Sequence, residues 1–270
     1  MTKVIDVCLV GAAGRMGQEI LRQMKTSDKV RLSGAIVSRT SKLVDVSVDC
    51  STCGHISFSN DLTKYALASD VIVDFSTSEA TDNVINTAFE LAKPVVCGVT
   101  GISEDTANLM KEVSSSIPIL YSPNMSIGIS AMLKAIKVLS MALDFDIEVN
   151  EIHHSKKRDV PSGTALLLAE TAAKARCWSS SETLFFRQRN NYNESSKNKK
   201  IGLSSVRGGN NAGTHTVYFL GDEESVEVIH RTESKSVFAN GAIVAAKWIC
   251  SQKSGMYSMV DLVESCNFDL

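Results

Sequence analysis

A surplus of charge of either sign is what this 270-residue chain lacks most plainly: 28 basic against 30 acidic residues leave a net charge of −2. That balance gives no global attraction for nucleic acid or for an anionic membrane, and neither is expected as a partner. Long hydrophobic runs are missing too. The apolar stretch within residues 1–10 covers only a few positions and is broken by Asp6. It is too short for a signal peptide or a membrane span, so the protein is expected in the cytoplasm. The cysteines are odd in number, seven, and Cys8, Cys97 and Cys250 lie in apolar runs. There a reduced thiol packs as a small hydrophobe, which fits a reducing compartment better than a disulfide framework. Cys50, Cys53 and His55 have a metal-like spacing, but no second cysteine pair follows at zinc-finger spacing. A structural zinc site needs four ligands, so no metal is expected. No internal repeat is evident. What is present, 44% hydrophobic and 21% charged residues, is ordinary for a soluble globular protein, and the length suffices for two domains.

The first half alternates strand and helix. Residues 4–10 form a β-rich run that enters Gly11-Ala12-Ala13-Gly14-Arg15-Met16-Gly17 and then a helical stretch, 18–25. Strand, glycine turn and helix together are the opening unit of a dinucleotide-binding fold, here spaced G-x-x-G-x-x-G. Residues 30–37 read as the second strand. About 20 residues past such a turn an acid usually holds the ribose hydroxyls of NAD. Ser38-Arg39-Thr40-Ser41-Lys42 stands there instead, and Arg39 and Lys42 can pair with a 2′-phosphate. NADPH is therefore favoured over NADH. Residues 43–63 read as an irregular polar excursion. Strands follow at 70–75, 94–99 and 118–121, with a capping-box pattern at Ser76-Thr77-Ser78-Glu79 and a capped helix at about 105–114. Such repetition implies a parallel sheet with right-handed crossovers and ligands beyond the C-terminal strand ends. That places Phe75-Ser76-Thr77, Gly98-Val99-Thr100 and Ser122-Pro123-Asn124-Met125 near the cofactor. A long helix with an apolar stripe is expected at 127–143.

The character changes from residue 145. A strand at 145–151 leads into Glu151-Ile-His153-His154-Ser-Lys156-Lys157-Arg158-Asp159-Val-Pro161-Ser162-Gly163-Thr164, and a helix follows at 165–174. Two histidines thus sit at a strand end, and Ser162-Gly163-Thr164 opens a helix whose free N–H groups attract anions. Histidine is the commonest proton-transfer residue, Lys157 supplies positive charge, and Gly163 lets a ligand approach the backbone. A proton donor, a cation and an anion cradle so close together point to a small carboxylate substrate. Residues 179–200 read as a long exposed loop. Three alternating segments, 201–207, 214–220 and 225–231, suggest with 145–153 an open sheet of about four strands. Residues 238–251 and 257–264 are expected to be helical. The expected fold is α/β: an N-terminal Rossmann-type dinucleotide-binding domain plus a smaller α+β domain with an open mixed sheet.

The run Glu151-x-His-His-x-x-Lys157-x-Asp159-x-Pro-Ser-Gly-Thr-Ala165 resembles the signature of the 4-hydroxy-tetrahydrodipicolinate (dihydrodipicolinate) reductase family. So do, in order, the glycine turn, Asp74-Phe-Ser-Thr77, Gly98-Val-Thr-Gly101, Pro123-Asn-Met-Ser126, Val206-Arg-Gly-Gly209 with Gly213-x-His215, and Phe238-Ala-Asn-Gly-Ala242, which together span essentially the whole chain. The resemblance implies hydride transfer from NAD(P)H to a cyclic imine dicarboxylate in diaminopimelate and lysine biosynthesis. It makes His153 the proton donor or shuttle and Lys157 the second catalytic residue. His154 and the Ser162-Gly163-Thr164 turn hold the substrate. The cofactor contacts fall on Gly11 to Met16, Ser38, Arg39, Gly98 to Thr100 and Ser122 to Met125. It further implies a discontinuous cofactor domain (1–125 and 236–270), a substrate and tetramerisation domain (126–235), and a homotetramer. Two positions depart from the pattern: Ser38 stands where many members carry an acid, and Lys235 where the family often has arginine. Two other classes stay open: another Rossmann oxidoreductase of aspartate-family amino-acid metabolism, and a non-catalytic NADP-binding regulator.

Overall fold

The computed structural model describes residues 3–48, 56–179, 183–187 and 198–265. Cys50, Cys53 and His55 lie outside the described residues, as does most of the segment 179–200 read as a loop. The chain forms two compact units, Met1–Ile127 with Lys235–Leu270, and Gly128–Ser234. Among the described residues no helix is long and apolar enough to cross a membrane.

The first unit is built on a seven-stranded sheet. Its strands are β1 (Ile5–Val10), β2 (Val30–Ile36), β3 (Phe58–Ser59), β4 (Val71–Asp74), β5 (Val95–Cys97), β6 (Pro118–Tyr121) and β12 (Gly255–Tyr257), in the spatial order β12-β6-β5-β4-β1-β2-β3. Every pair is parallel. Parallel strands are near-continuous apolar runs because helices cover both sheet faces. On one face α1 (Arg15–Met24), α7 (Ser236–Ile249) and α8 (Met259–Ser265) pack Ile20, Met24, Ala242 and Leu262 against Val7, Leu9, Val73 and Leu120. On the other, α2 (Leu62–Leu67), α3 (Ser78–Glu90) and α4 (Glu104–Val113) pack Leu62, Ile85 and Met110 against Cys8, Ile72, Val95 and Ile119.

Some local readings need correction. Thr77, not Ser76, is the N-cap of α3, and no side chain makes the cap hydrogen bond. The hydroxyl cap does form on α4, where Ser103 Oγ accepts from Thr106 N at 3.0 Å. The short helix α2 lies within and beyond the excursion at 43–63. Its own signal is Asp61, whose carboxylate caps it by accepting from Lys64 N at 3.0 Å. Residue 257 ends the edge strand β12 rather than opening a helix.

The second unit holds a mixed sheet of five strands, not about four. These are β7 (Asp146–His153), β8 (Leu184–Phe186), β9 (Ile201–Arg207), β10 (Thr214–Leu220) and β11 (Ser225–Arg231), in the order β11-β10-β7-β9-β8. The extra strand is the triplet Leu-Phe-Phe, which pairs with β9 through Leu184↔Ile201. Three residues are too few to show a strand period, and polar chain surrounds them. β7 runs parallel to β9 and antiparallel to β10. Helix α6 (Gly163–Ala175) packs on β7, β9 and β10. α5 (Ile127–Ala142) is tied down at its C-terminus by Arg176, whose guanidinium donates to the carbonyls of Ser140, Leu143 and Phe145 at 3.1, 2.5 and 2.8 Å.

Candidate active site

In the first unit, β1 runs into the glycine turn and α1 starts at Arg15. Gly11 has φ +76°, and a Cβ there would run into the Phe75 carbonyl. Only glycine is compatible with both demands. The N–H groups of Gly11 and Ala12 are already bonded to the Ile36 carbonyl, at 3.0 and 3.1 Å. Ala12 is fully buried, so its side chain meets no ligand. The cradle for a phosphate is left to the first-turn N–H groups of α1, which have no acceptor within the helix.

Beside this turn lies a cleft of about 800 Å³ lined by Gly11, Ala13, Gly14, Ser38 and Arg39. Asn60, Asp61, Phe75, Ser76 and Thr77 are also among its lining residues. Size and lining suit the adenosine end of a dinucleotide. The expected contacts Gly98, Val99 and Thr100 follow β5, with Val99 buried, Thr100 exposed and Gly98 stacked against the Phe75 ring. Ser122 to Met125 follow β6, with Ser122 Oγ donating to Asn124 O at 2.7 Å and Met125 buried. Neither of these segments lines the cleft, nor do Arg15 and Met16, of which Arg15 is exposed and Met16 half-buried. Asp61 was hidden in the sequence because the fold alone brings it to the cleft wall, and its carboxylate is engaged as a helix cap.

In the second unit β7 alternates strictly, and Glu151 and His153, two residues apart, share its buried face. His153 Nδ1 contacts Glu151 Oε2. The Glu151 side chain is fully buried. Arg207 grips it with both arms, Nη1 to Oε2 at 2.8 Å and Nη2 to Oε1 at 2.7 Å. Oε1 also accepts from Ser162 N at 3.3 Å. Burial favours protonating Glu151, but hydrogen bonds, Arg207's first among them, win and hold it at about 2. Removing one partner of such a buried pair costs roughly 3–5 kcal/mol.

Burial moves His153 the other way, below the usual imidazole value; Glu151 opposes the shift, and Lys157 and Arg207 add to it. His215 on β10 stands edge-on to His153 at 5.0 Å between ring centroids. Burial, with the His153 charge, pushes His215 down to about 4. Ser162 Oγ accepts from Ala165 N at 3.2 Å, capping α6, and lies 3.1 Å from His215 Nε2. Its one hydrogen is then free to go to His215. Gly213 borders this side and leaves room at the ring: a Cβ there would sit 3.0 Å from His153 Nε2.

The structure thus brings His153, Ser162 and Arg207 together around Glu151, with Lys157 near enough for its charge to act on His153. Lys157 is partly buried and pairs with Asp159 Oδ2 at 2.8 Å. Arg207 Nη2 also reaches the Asp159 carbonyl at 2.6 Å. His154 follows the strand end, half-buried, and its Nδ1 is enclosed without a hydrogen-bond partner. Gly163 is exposed, and a Cβ on it would meet nothing within 4 Å, so the approach to the α6 N-terminus is open. Thr164 follows in the first turn, half-buried. Lys156 and Arg158 are exposed. Among the described residues no group of three or more His, Cys, Asp or Glu could hold a metal ion. Sequence reasoning missed the roles of Glu151, Arg207 and His215 beside His153. The i, i+2 spacing of Glu151 and His153 was the one signal available.

A family model described as "Dihydrodipicolinate reductase, N-terminus" matches residues 5–125, and one described as "Dihydrodipicolinate reductase, C-terminus" matches residues 128–263. The 4-hydroxy-tetrahydrodipicolinate reductase of Helicobacter hepaticus is 40% identical over 263 residues, 97% of this chain and 100% of that protein. That of Nitratiruptor sp. is 38% identical over 259 residues, 96% of this chain and 98% of that protein. Among solved structures, a dipicolinate-bound dihydrodipicolinate reductase from Paenisporosarcina sp. TG-14 superposes with a TM-score of 0.72 at 20% identity, covering 95% of this chain and 98% of that one. A diaminopimelate dehydrogenase of C. glutamicum gives 0.58 at 14% identity, covering 97% and 94%. At such identities these two likenesses speak for the fold alone.

Proposed function

The chain belongs to the dihydrodipicolinate reductase family, and from that membership we propose that it reduces 4-hydroxy-tetrahydrodipicolinate (dihydrodipicolinate) to tetrahydrodipicolinate in diaminopimelate and lysine biosynthesis. The observation that carries the reading is 40% identity to a reductase of that name along 97% of this chain and all of that relative. Loss of the 4-hydroxyl as water gives the conjugated imine dihydrodipicolinate, to which one hydride and one proton are then added. When bound, the reduced nicotinamide supplies the hydride. The protein's residues do the rest. His153 delivers the proton that quenches the electron density left by hydride arrival. Lys157 offers positive charge that counts most as that density builds. His154 and the Ser162-Gly163-Thr164 helix start hold the carboxylates. The free thiols of the buried Cys8 and Cys97 and the biosynthetic role fit a cytoplasmic enzyme.

The test is a coupled assay. Substrate is generated from pyruvate and aspartate semialdehyde, and NADPH and NADH loss is followed by the absorbance of the reduced nicotinamide. Oxidation of neither would defeat the reading.

NADPH is the favoured cofactor on this reading, since the exposed Arg39 and Ser38 line the adenosine cleft. Asp61 lines the same cleft, and its carboxylate is engaged with Lys64 N. A charge-assisted hydrogen bond contributes about 1.5–3 kcal/mol, so Arg39→Ala should raise KM for NADPH about 10-fold or more and leave KM for NADH nearly unchanged. A wild-type kcat/KM ratio that favours NADH overturns the preference.

A homotetramer assembled through the second unit's sheet completes the proposal. α6 covers the face that carries Val149, Leu203 and Val217. The opposite face carries Val206, Leu220 and Ile229, which are 47%, 41% and 41% exposed. Light scattering should give four times the 29.2 kDa chain mass. Val206→Lys with Ile229→Lys should lower it, since a charge is poorly tolerated at the core of such an interface. A monomeric wild type overturns the assembly.

A further inference from the structure

Glu151 and Arg207 touch no atom that the reaction changes, yet they enclose one that does. Glu151 is fully buried and its Oε2 contacts His153 Nδ1. Arg207 occupies both carboxylate oxygens, at 2.8 and 2.7 Å, and Ser162 N, at the start of α6, lies 3.3 Å from one of them. The three side chains converge because β7 and β9 run parallel in register, with His153 opposite Arg207 and Glu151 opposite Ser205.

Fold stability is a weak reason for this arrangement. Replacing a buried ion pair with apolar groups of similar volume is often neutral or stabilising. The geometry points to another role. A carboxylate on Nδ1 orients an imidazole and fixes the hydrogen on that nitrogen, so the exchangeable proton of the charged ring is the one on Nε2. His153 Nε2 faces Gly213, the residue that adds no side chain to cover it.

We propose that Glu151, locked in place by Arg207, is a positioning residue for His153, orienting the ring and keeping Nε2 as the proton-donating atom. Arg207 has a distinct part. It holds Glu151 ionised, so that the carboxylate acts as an anchor for the imidazolium and does not take its proton. Through Ser162 N the same carboxylate ties the ring to the helix start proposed to hold the substrate. The inference rests on the reading of His153 as proton donor.

The charged and titratable groups around His153 are Glu151 on its own strand, Arg207 from β9, His215 from β10, and Lys157 from the following loop, itself paired with Asp159. α6 contributes the neutral Ser162. With the Glu151 charge gone, burial, Lys157 and Arg207 are left to disfavour the imidazolium. The pH above which activity falls should therefore move down.

Glu151→Gln is expected to lower kcat about 10- to 100-fold at neutral pH, part of the roughly 10²–10⁴-fold that a positioned general acid contributes, with KM for NADPH unchanged. Its basic limb in kcat should lie at least about one pH unit below that of the wild type. Should this variant fold poorly with Arg207 left unpaired, the double variant Glu151→Gln/Arg207→Met removes both charges. It should recover thermal stability while keeping the lowered kcat, and its limb should stay below that of the wild type by less than in Glu151→Gln, because the opposing Arg207 charge is gone as well. A double variant with wild-type kcat and limb would show that the pair serves the fold alone and would overturn the inference. His153→Gln in the same assay separates the two levels. If it is inactive while both Glu151 variants keep the wild-type profile, only this inference fails. If it turns over normally, the proton-donor reading fails with it.

Discussion

Replacing His153 by glutamine is expected to lower kcat by about 10²–10⁴-fold, the contribution of a positioned general acid. NADPH affinity, read by fluorescence titration, should stay within about twofold, since a change confined to the chemical step leaves cofactor binding alone. The pH dependence carries a sharper form of the prediction. Burial lowers His153 in the free protein; Glu151 opposes this, and Lys157 and Arg207 reinforce it. A proton donor works only while it carries its proton. The kcat/KM profile should thus be full at low pH and decline as pH rises through a value below the ordinary imidazole figure of about 6.5. A bound dicarboxylate brings negative charge to the ring and acts in the opposite sense, raising it. The limb in kcat, which reports the complex, should then fall at higher pH than the limb in kcat/KM. Coincident limbs, or a limb that survives His153→Gln, would remove His153 from the proton transfer.

Much of the fold could be read from the sequence because its elements carry local signals. β1 is an apolar run closed by a glycine turn, and β9, β10 and β11 span the residues that their alternation marks, 201–207, 214–220 and 225–231. The elements that escaped lack a period. Leu184–Phe186 and Gly255–Tyr257 are three-residue edge strands whose identity comes from the neighbour they pair with. Within the candidate site the same division holds. His153, Lys157 and Ser162 to Thr164 stand within a dozen residues and announce themselves together. Arg207 lies 56 residues from Glu151. No local pattern reports a pairing made by sheet register over that distance. The adenosine cleft divides likewise: Gly11 and Arg39 were legible from the turn and the second strand end, while Asp61 enters from another crossover.

Lys157→Met is the second large effect expected, a fall in kcat of about 10²–10³-fold, the scale for losing one preorganised group that meets charge as it develops. Methionine keeps most of the length and apolar stem and removes only the cation, so the variant tests charge and not packing. The competing account is that Lys157 merely holds the loop through Asp159, at 2.8 Å. Magnitudes separate the two. The Asp159 side chain is 57% exposed, and ion pairs at such sites contribute about 0–1 kcal/mol. If the pair were the purpose, Asp159→Asn would do as much harm as Lys157→Met, and both effects would stay near fivefold, the equivalent of about 1 kcal/mol. If the cation serves the reaction, Asp159→Asn should be nearly silent. A weak, exposed partner also suits the reaction, because the substrate carboxylate can take the place of Asp159 at little energetic cost. The split between constants then assigns the role. A rise in KM for the dicarboxylate with unchanged kcat would mean that Lys157 binds substrate and transition state equally. A fall in kcat means that it acts on charge that appears only as the hydride arrives, and wild-type kcat in Lys157→Met would remove it from the chemistry.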